Sequence, residues 1–133
     1  MYRVTKSLSF CYGHRLLGYP GKCRHLHGHN ARVNITLQGA ELDDLGMLVD
    51  FNEIKKSIKS WIDDEIDHTM LLCKDDPIIP VLREAGERFY VTEENPTAEH
   101  IARLIYEKVE AAGYPVLEVV VEETDSCLAS YQK

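Results

Sequence analysis

From Asn30 to Gln38 apolar and polar residues alternate, with Val33, Ile35 and Leu37 on one side. Period two over that length predicts a half-buried β-strand. Residues 2–12 alternate more loosely through Tyr2, Val4, Ser7, Leu8 and Phe10 and predict an earlier strand. Gly18, Pro20 and Gly21 turn residues 15–26 into a loop between the two. Beyond a turn at Asp43–Gly46 the period changes: Phe51, Ile54, Ile58, Trp61, Ile62 and Ile66 form a helical stripe. Asp50 is placed to cap that helix, with Glu53 as the return partner of a capping box. A second helix is predicted from Thr97, after Pro96, with Ala98, Ile101, Leu104, Ile105 and Val109 inward and Gly113 as its stop. Val116–Thr124 and Cys127–Tyr131 predict a closing hairpin. Residues 72–95 are the least legible, with Pro77, Pro80, Gly86 and one short strand candidate at Arg88–Val91. The order predicts one α+β domain over residues 1–133: an antiparallel sheet with its helices on one face. The apolar run Val119–Val120–Val121 predicts that another subunit covers the second face.

Composition narrows the function. With 133 residues and a net charge of -7, the chain lacks the basic stripe of a general nucleic-acid binder. No apolar run approaches the roughly 20 residues that span a bilayer. Residues 1–10 show no secretory leader. Cys11, Cys23, Cys73 and Cys127 form no CxxC pair, which predicts free thiols in a cytoplasmic protein.

Histidine placement adds chemistry. His25, His27 and His29 fall within residues 22–30, just after Cys23. On an extended strand His27 and His29 point to one face, continuing the inward side of Val33. His14 lies one strand earlier, so pairing of the two segments would bring His14, His27 and His29 together. Three imidazoles suit zinc. With Cys23 as a fourth ligand the site is closed and structural; with Cys23 off the metal, a position stays open for substrate. His25 shares the parity of its neighbours; His100 reads as an ordinary surface or core residue.

Five stretches together resemble the family of 6-pyruvoyltetrahydropterin and 6-carboxytetrahydropterin synthases. They are Phe10-Cys11-Tyr12-Gly13-His14-Arg15-Leu16, Cys23-x3-His27-Gly28-His29, Gly46-Met47-Leu48-Val49-Asp50-Phe51, Ile66-Asp67-His68, and Asn95-Pro96-Thr97-Ala98-Glu99 with Glu122-Glu123-Thr124. The three-residue gap after Cys23 resembles the carboxy type of queuosine biosynthesis. The resemblance implies the tunnelling fold: a four-stranded antiparallel sheet with two helices on one face, assembled into a barrel as a homohexamer of two stacked trimers. It implies a zinc ion on His14, His27 and His29, with Cys23 as general base and Asp67 and His68 as acid–base partners. Glu123 would anchor the pterin ring and link to the proton relay, and Thr97 would add a ring contact. The implied reaction turns 7,8-dihydroneopterin triphosphate into 6-carboxy-5,6,7,8-tetrahydropterin, acetaldehyde and triphosphate. Alternatives are the pyruvoyl product, an aldolase-like activity on dihydroneopterin, or a non-catalytic zinc protein. Lys22, Arg24 and Arg15 are candidate triphosphate contacts. Without the resemblance, Asp67-His68 reads as an ordinary helix end and Thr97 as a plain N-cap.

Overall fold

A computed structural model describes residues 1–133. Strands β1 (Tyr2–His14) and β2 (His27–Gly39) pair antiparallel along their whole length. A helical run over residues 51–66 forms α1, followed by β3 (Thr69–Cys73), the short α2 (Ile79–Glu84) and β4 (Phe89–Thr92). Then come α3 (Ala98–Ala111), β5 (Val116–Glu122) and β6 (Leu128–Tyr131). The sheet has six strands in the order β4-β3-β1-β2-β5-β6.

The expected four-stranded antiparallel sheet is therefore corrected: β3 runs parallel to β1, and β4 runs parallel to β3. The reason lies in the residues. In Thr69-Met70-Leu71-Leu72-Cys73 every residue except Met70 is buried, so β3 carries no alternation to read. A short apolar run enclosed on both faces is the ordinary signature of a parallel strand. The Arg88–Val91 candidate forms one residue later, as β4.

The two long helices do share one face. Phe10, Tyr12, Val33, Ile35, Leu37, Val119 and Val121 point into a single core with Ile54, Ile58, Ile62 and Ile66 of α1 and Ile101, Ile105 and Val109 of α3. The four α1 isoleucines are at most 1% exposed. Their strict four-residue spacing would drift by about 40° per step around a helix of 3.6 residues per turn. Wide i→i+5 turns over Lys55–Lys59 and Ile62–Ile66 slow that drift and keep the stripe on the sheet. Asp50 caps α1 by accepting from the Asn52 N–H at 2.8 Å. The Glu53 N–H bonds to the Asp50 carbonyl at 3.0 Å.

The second sheet face differs from the apolar surface expected from Val119–Val121. It carries a polar ladder: Thr5 with Thr36 at 2.9 Å, Ser7 donating to Asn34 at 2.5 Å, and Asn34 donating to Glu122 at 2.6 Å. Only Val120 of the triplet turns that way, because alternation sends Val119 and Val121 to the core. No helix is long and apolar enough to cross a membrane.

The segment between β3 and α3 is tied to the end of β1. Arg15 grips Asp76 with both ends of its guanidinium, the Nε–Oδ2 bond being 2.8 Å. Asp76 also accepts from the Ile78 N–H at 2.9 Å, and its side chain is fully buried. This pairing holds the Asp76 carboxyl below the ordinary carboxylate range, chiefly through the Arg15 hydrogen bonds. Its stabilisation is therefore complete above about pH 4 and lost as pH falls through the lower folded value. Asp76→Asn is expected to cost about 2 kcal/mol at pH 7 and to flatten that acid loss, read by chemical denaturation at pH 7 and pH 3.

Candidate active site

Register brings the three imidazoles together. His14 pairs directly with His27 across β1 and β2, and His29 pairs with Tyr12. Ring centroids lie 4.5 Å apart for His14–His27 and 5.1 Å for each of the other two pairs. Between the ligands, Gly28 faces the Tyr12 carbonyl so closely that a Cβ would sit 2.8 Å from its oxygen.

Two backbone carbonyls set the tautomers. His14 Nδ1 donates to the Pro96 carbonyl at 2.7 Å, and His27 Nδ1 donates to the His25 carbonyl at 2.7 Å. A carbonyl only accepts, so each ring carries its proton on Nδ1 and leaves Nε2 bare. His14 Nε2 and His29 Nε2 stand 3.2 Å apart. His27 Nε2 is buried with no hydrogen-bond partner. An orphaned buried acceptor costs about 1–3 kcal/mol, and one cation among the three rings would satisfy it. Burial outweighs the opposing Pro96 hydrogen bond and Glu123 charge and keeps the His14 pKa below the ordinary histidine value, so the ring stays neutral and able to ligate. The cluster fits a divalent ion that favours imidazole, and Cys23 does not join it.

Beside His14 lies a cavity of about 280 Å³ lined by Cys23, Thr97, Glu123 and Cys127. Cys23, half-buried, stands in a single 3-10 turn, Lys22–Arg24. Thr97 caps α3 by accepting from the His100 N–H at 3.3 Å. Glu123 continues the inward face of β5, and its Oε1 lies 3.6 and 3.5 Å from Nε2 of His14 and His29. Its neighbour Glu122 turns to the polar face and takes the Asn34 amide. Tyr12, whose side chain the motif reading left without a role, donates its hydroxyl to Glu123 Oε1 at 2.8 Å. Burial, then the Glu123 contact, pushes the Tyr12 phenol far above its usual range, so it remains a donor.

Asp67 and His68 form a separate pair. The last wide turn of α1 closes with the Asp67 N–H on the Ile62 carbonyl at 2.7 Å. Asp67 Oδ1 then accepts the Cys11 N–H at 2.8 Å, and the His68 N–H bonds to the Cys11 carbonyl at 2.8 Å. These two bonds hold His68 in the left-handed region at φ 55, a conformation costing about 1–2 kcal/mol outside glycine. His68 Nδ1 donates to Asp67 Oδ2 at 2.7 Å, leaving Nε2 free on a side chain that is 76% exposed. Burial raises the Asp67 carboxyl, but the Cys11 and His68 hydrogen bonds outweigh it and hold the acid below its ordinary range. The Cys11 sulfur gathers with this pair. Since Cys11 alternates away from Tyr12 and His14, the Asp67–His68 pair and the three imidazoles occupy opposite faces of β1.

Other expectations resolve differently. His25 stays outside the cluster despite its parity: it precedes β2, and its carbonyl serves His27 while its ring accepts from Arg24 at 3.3 Å. Arg15 is engaged by Asp76 rather than free for a phosphate. His100 donates to the Asn95 carbonyl at 2.8 Å.

A family model described as 6-pyruvoyl tetrahydropterin synthase matches residues 3–133. A 6-carboxy-5,6,7,8-tetrahydropterin synthase of Rickettsia bellii is 34% identical over 134 residues, covering 96% of this chain and 97% of its own. A protein of the same name from Rickettsia typhi is 40% identical over 104 residues, covering 77% and 75%. Among solved structures, an uncharacterized protein of Wolinella succinogenes superposes with a TM-score of 0.81 at 28% identity, covering 99% and 98%. The 6-pyruvoyl tetrahydropterin synthase of Caenorhabditis elegans gives 0.73 at 25%, covering 99% and 95%.

Because Gly28 lets the strands close, Gly28→Ala is expected to separate the imidazoles. The variant should lose about 1–3 kcal/mol of stability and bind cobalt(II) at least tenfold more weakly, followed by visible absorption of the metal.

Proposed function

The chain belongs to the 6-pyruvoyl tetrahydropterin synthase family, and from that premise we propose that it makes 6-carboxy-5,6,7,8-tetrahydropterin from 7,8-dihydroneopterin triphosphate and water, releasing acetaldehyde and triphosphate. The carboxy branch is favoured by the names of the curated relatives. The observation that carries the reading is three inward imidazole nitrogens beside a thiol that stays out of their cluster.

In this reading His14, His27 and His29 hold zinc. When bound, zinc supplies Lewis-acid polarisation of the hydroxyls on the substrate side chain. Cys23 takes the proton from the adjacent side-chain carbon, and the small cavity keeps water away from that step. Glu123 accepts the 2-amino and ring N–H donors of the pterin, fixing the side chain against Cys23, and passes protons on. Thr97, at the α3 N-terminus and lining the same cavity, would border the ring. His68 exchanges protons at Nε2 while Asp67 holds its Nδ1–H and steadies the charged ring.

The proposal includes a cytoplasmic homohexamer of two stacked trimers, its sheets joined edge to edge into a barrel. Two observations support assembly. The sheet ends in unpaired edges at β4 and β6, and the acid–base pair lies on the opposite face of β1 from the imidazoles. A site completed by His68 of a neighbouring copy reconciles the two.

Turnover of 7,8-dihydroneopterin triphosphate should release one acetaldehyde per carboxypterin, quantified by mass spectrometry of both products. A pyruvoyl product without acetaldehyde would instead place the chain in the sister branch. Cys23→Ala is expected to keep its zinc and lose at least a thousandfold in kcat, whereas His27→Ala should lose both metal and turnover. Zinc loss from Cys23→Ala would favour a closed structural site. Mixing Cys23→Ala and His68→Ala subunits under exchange should restore about a quarter of wild-type activity if each site draws on two copies; no recovery would mean that each chain serves itself.

A further inference from the structure

Tyr12 lies on β1 two residues before His14, on the same face, and is 3% exposed. Its ring packs edge-on against His14, with centroids 5.1 Å apart, and tilted against His29 at 5.7 Å. Packing alone would be served as well by phenylalanine. The hydroxyl, however, reaches Glu123 Oε1 at 2.8 Å, joining strands that lie on either side of β2. A carboxylate offers about four acceptor positions, and one donor on Oε1 leaves Oε2 open while fixing the plane of the group. The same Oε1 stands 3.6 and 3.5 Å from two imidazole nitrogens. The bare imidazole nitrogens offer that oxygen no proton, so the Tyr12 hydroxyl is the donor that holds the carboxylate in place.

We propose that Tyr12 is a positioning residue for ring recognition: its hydroxyl fixes the plane of the Glu123 carboxylate in the orientation that accepts the two parallel donors of an aminopyrimidinone ring. The inference rests on the reading of Glu123 as the ring anchor. Tyr12 touches neither the substrate nor the reacting atoms in this role; it acts through Glu123. Its loss should therefore weaken the 2-amino ligand selectively.

The test compares binding of pterin with binding of lumazine, which carries an oxygen in place of the 2-amino group, to the zinc-loaded protein by fluorescence quenching. Tyr12→Phe keeps the ring and removes only the hydroxyl. It is expected to weaken pterin about tenfold, the size of one charge-assisted hydrogen bond, and lumazine less than twofold, with zinc content unchanged. The same variant should raise KM for dihydroneopterin triphosphate more than it lowers kcat. In a Glu123→Gln background, Tyr12→Phe should cost less than a further twofold, because the two residues act as one unit. Equal weakening of both ligands, or independent effects in the double variant, would overturn the inference and leave Tyr12 as packing. If Glu123→Gln collapses the pterin preference while Tyr12→Phe preserves it, the positioning role alone fails. If Glu123→Gln also leaves the preference intact, the anchor reading fails and takes this inference with it. Tyr12→Leu, which also lacks the hydroxyl, serves as the second variant should Tyr12→Phe fold poorly.

Discussion

Two hydrogen bonds from imidazole to backbone govern the site: His14 to Pro96 and His27 to His25. Each commits a ring proton to Nδ1 and so turns a bare Nε2 toward the common centre. Gathering bare acceptors in a buried place is unfavourable on its own, since each loses water and repels its neighbours. The arrangement persists because the β1–β2 register and the closeness allowed by Gly28 leave the rings nowhere else to go. The fold holds a disfavoured cluster of lone pairs, and a bound cation would turn that cost into affinity.

The carbonyl that orients His14 belongs to Pro96, so the site depends on how the chain returns from β3 to α3. Three ties hold that return against the end of β1. His14 bonds to Pro96, Arg15 grips Asp76, and Leu17 exchanges two 2.9 Å bonds with the Asn95 side chain. Asn95, Pro96 and Thr97 thus act as one clamp that fixes the loop after β1 and starts α3 beside the cavity. The segment between β3 and α3, opaque as sequence, is part of what holds the first metal-capable ring in place.

Legibility followed periodicity. The parity of His27, His29 and Val33 was readable because β2 alternates without interruption, and the same rule separated inward Glu123 from outward Glu122. The α1 stripe was readable too, although the wide turns that keep its isoleucines in line leave no separate mark in composition. β3 was missed because strands buried on both faces do not alternate, and α2 because six residues with a proline among them make no stripe. The partner of Arg15 was invisible for another reason: Asp76 is 61 residues away, and nothing local distinguishes an arginine with a buried partner from one waiting for phosphate. Tyr12 stood in plain view on the correct face, but its use depends on a contact spanning 111 residues.

The two faces of β1 divide the chemistry. On the inward face, imidazoles, a carboxylate and a buried phenol share a partly buried environment in which hydrogen bonds are stronger than in open water. On the outward face, His68 is exposed and free at Nε2, held in a strained backbone conformation by two bonds to Cys11. A residue held under strain at an exposed position needs a reason outside its own packing. Within one chain the Asp67–His68 pair and the imidazole centre face opposite sides of β1. The strain becomes intelligible if the surface presenting His68 is completed by a second copy, which would make assembly a condition of the chemistry rather than an addition to it.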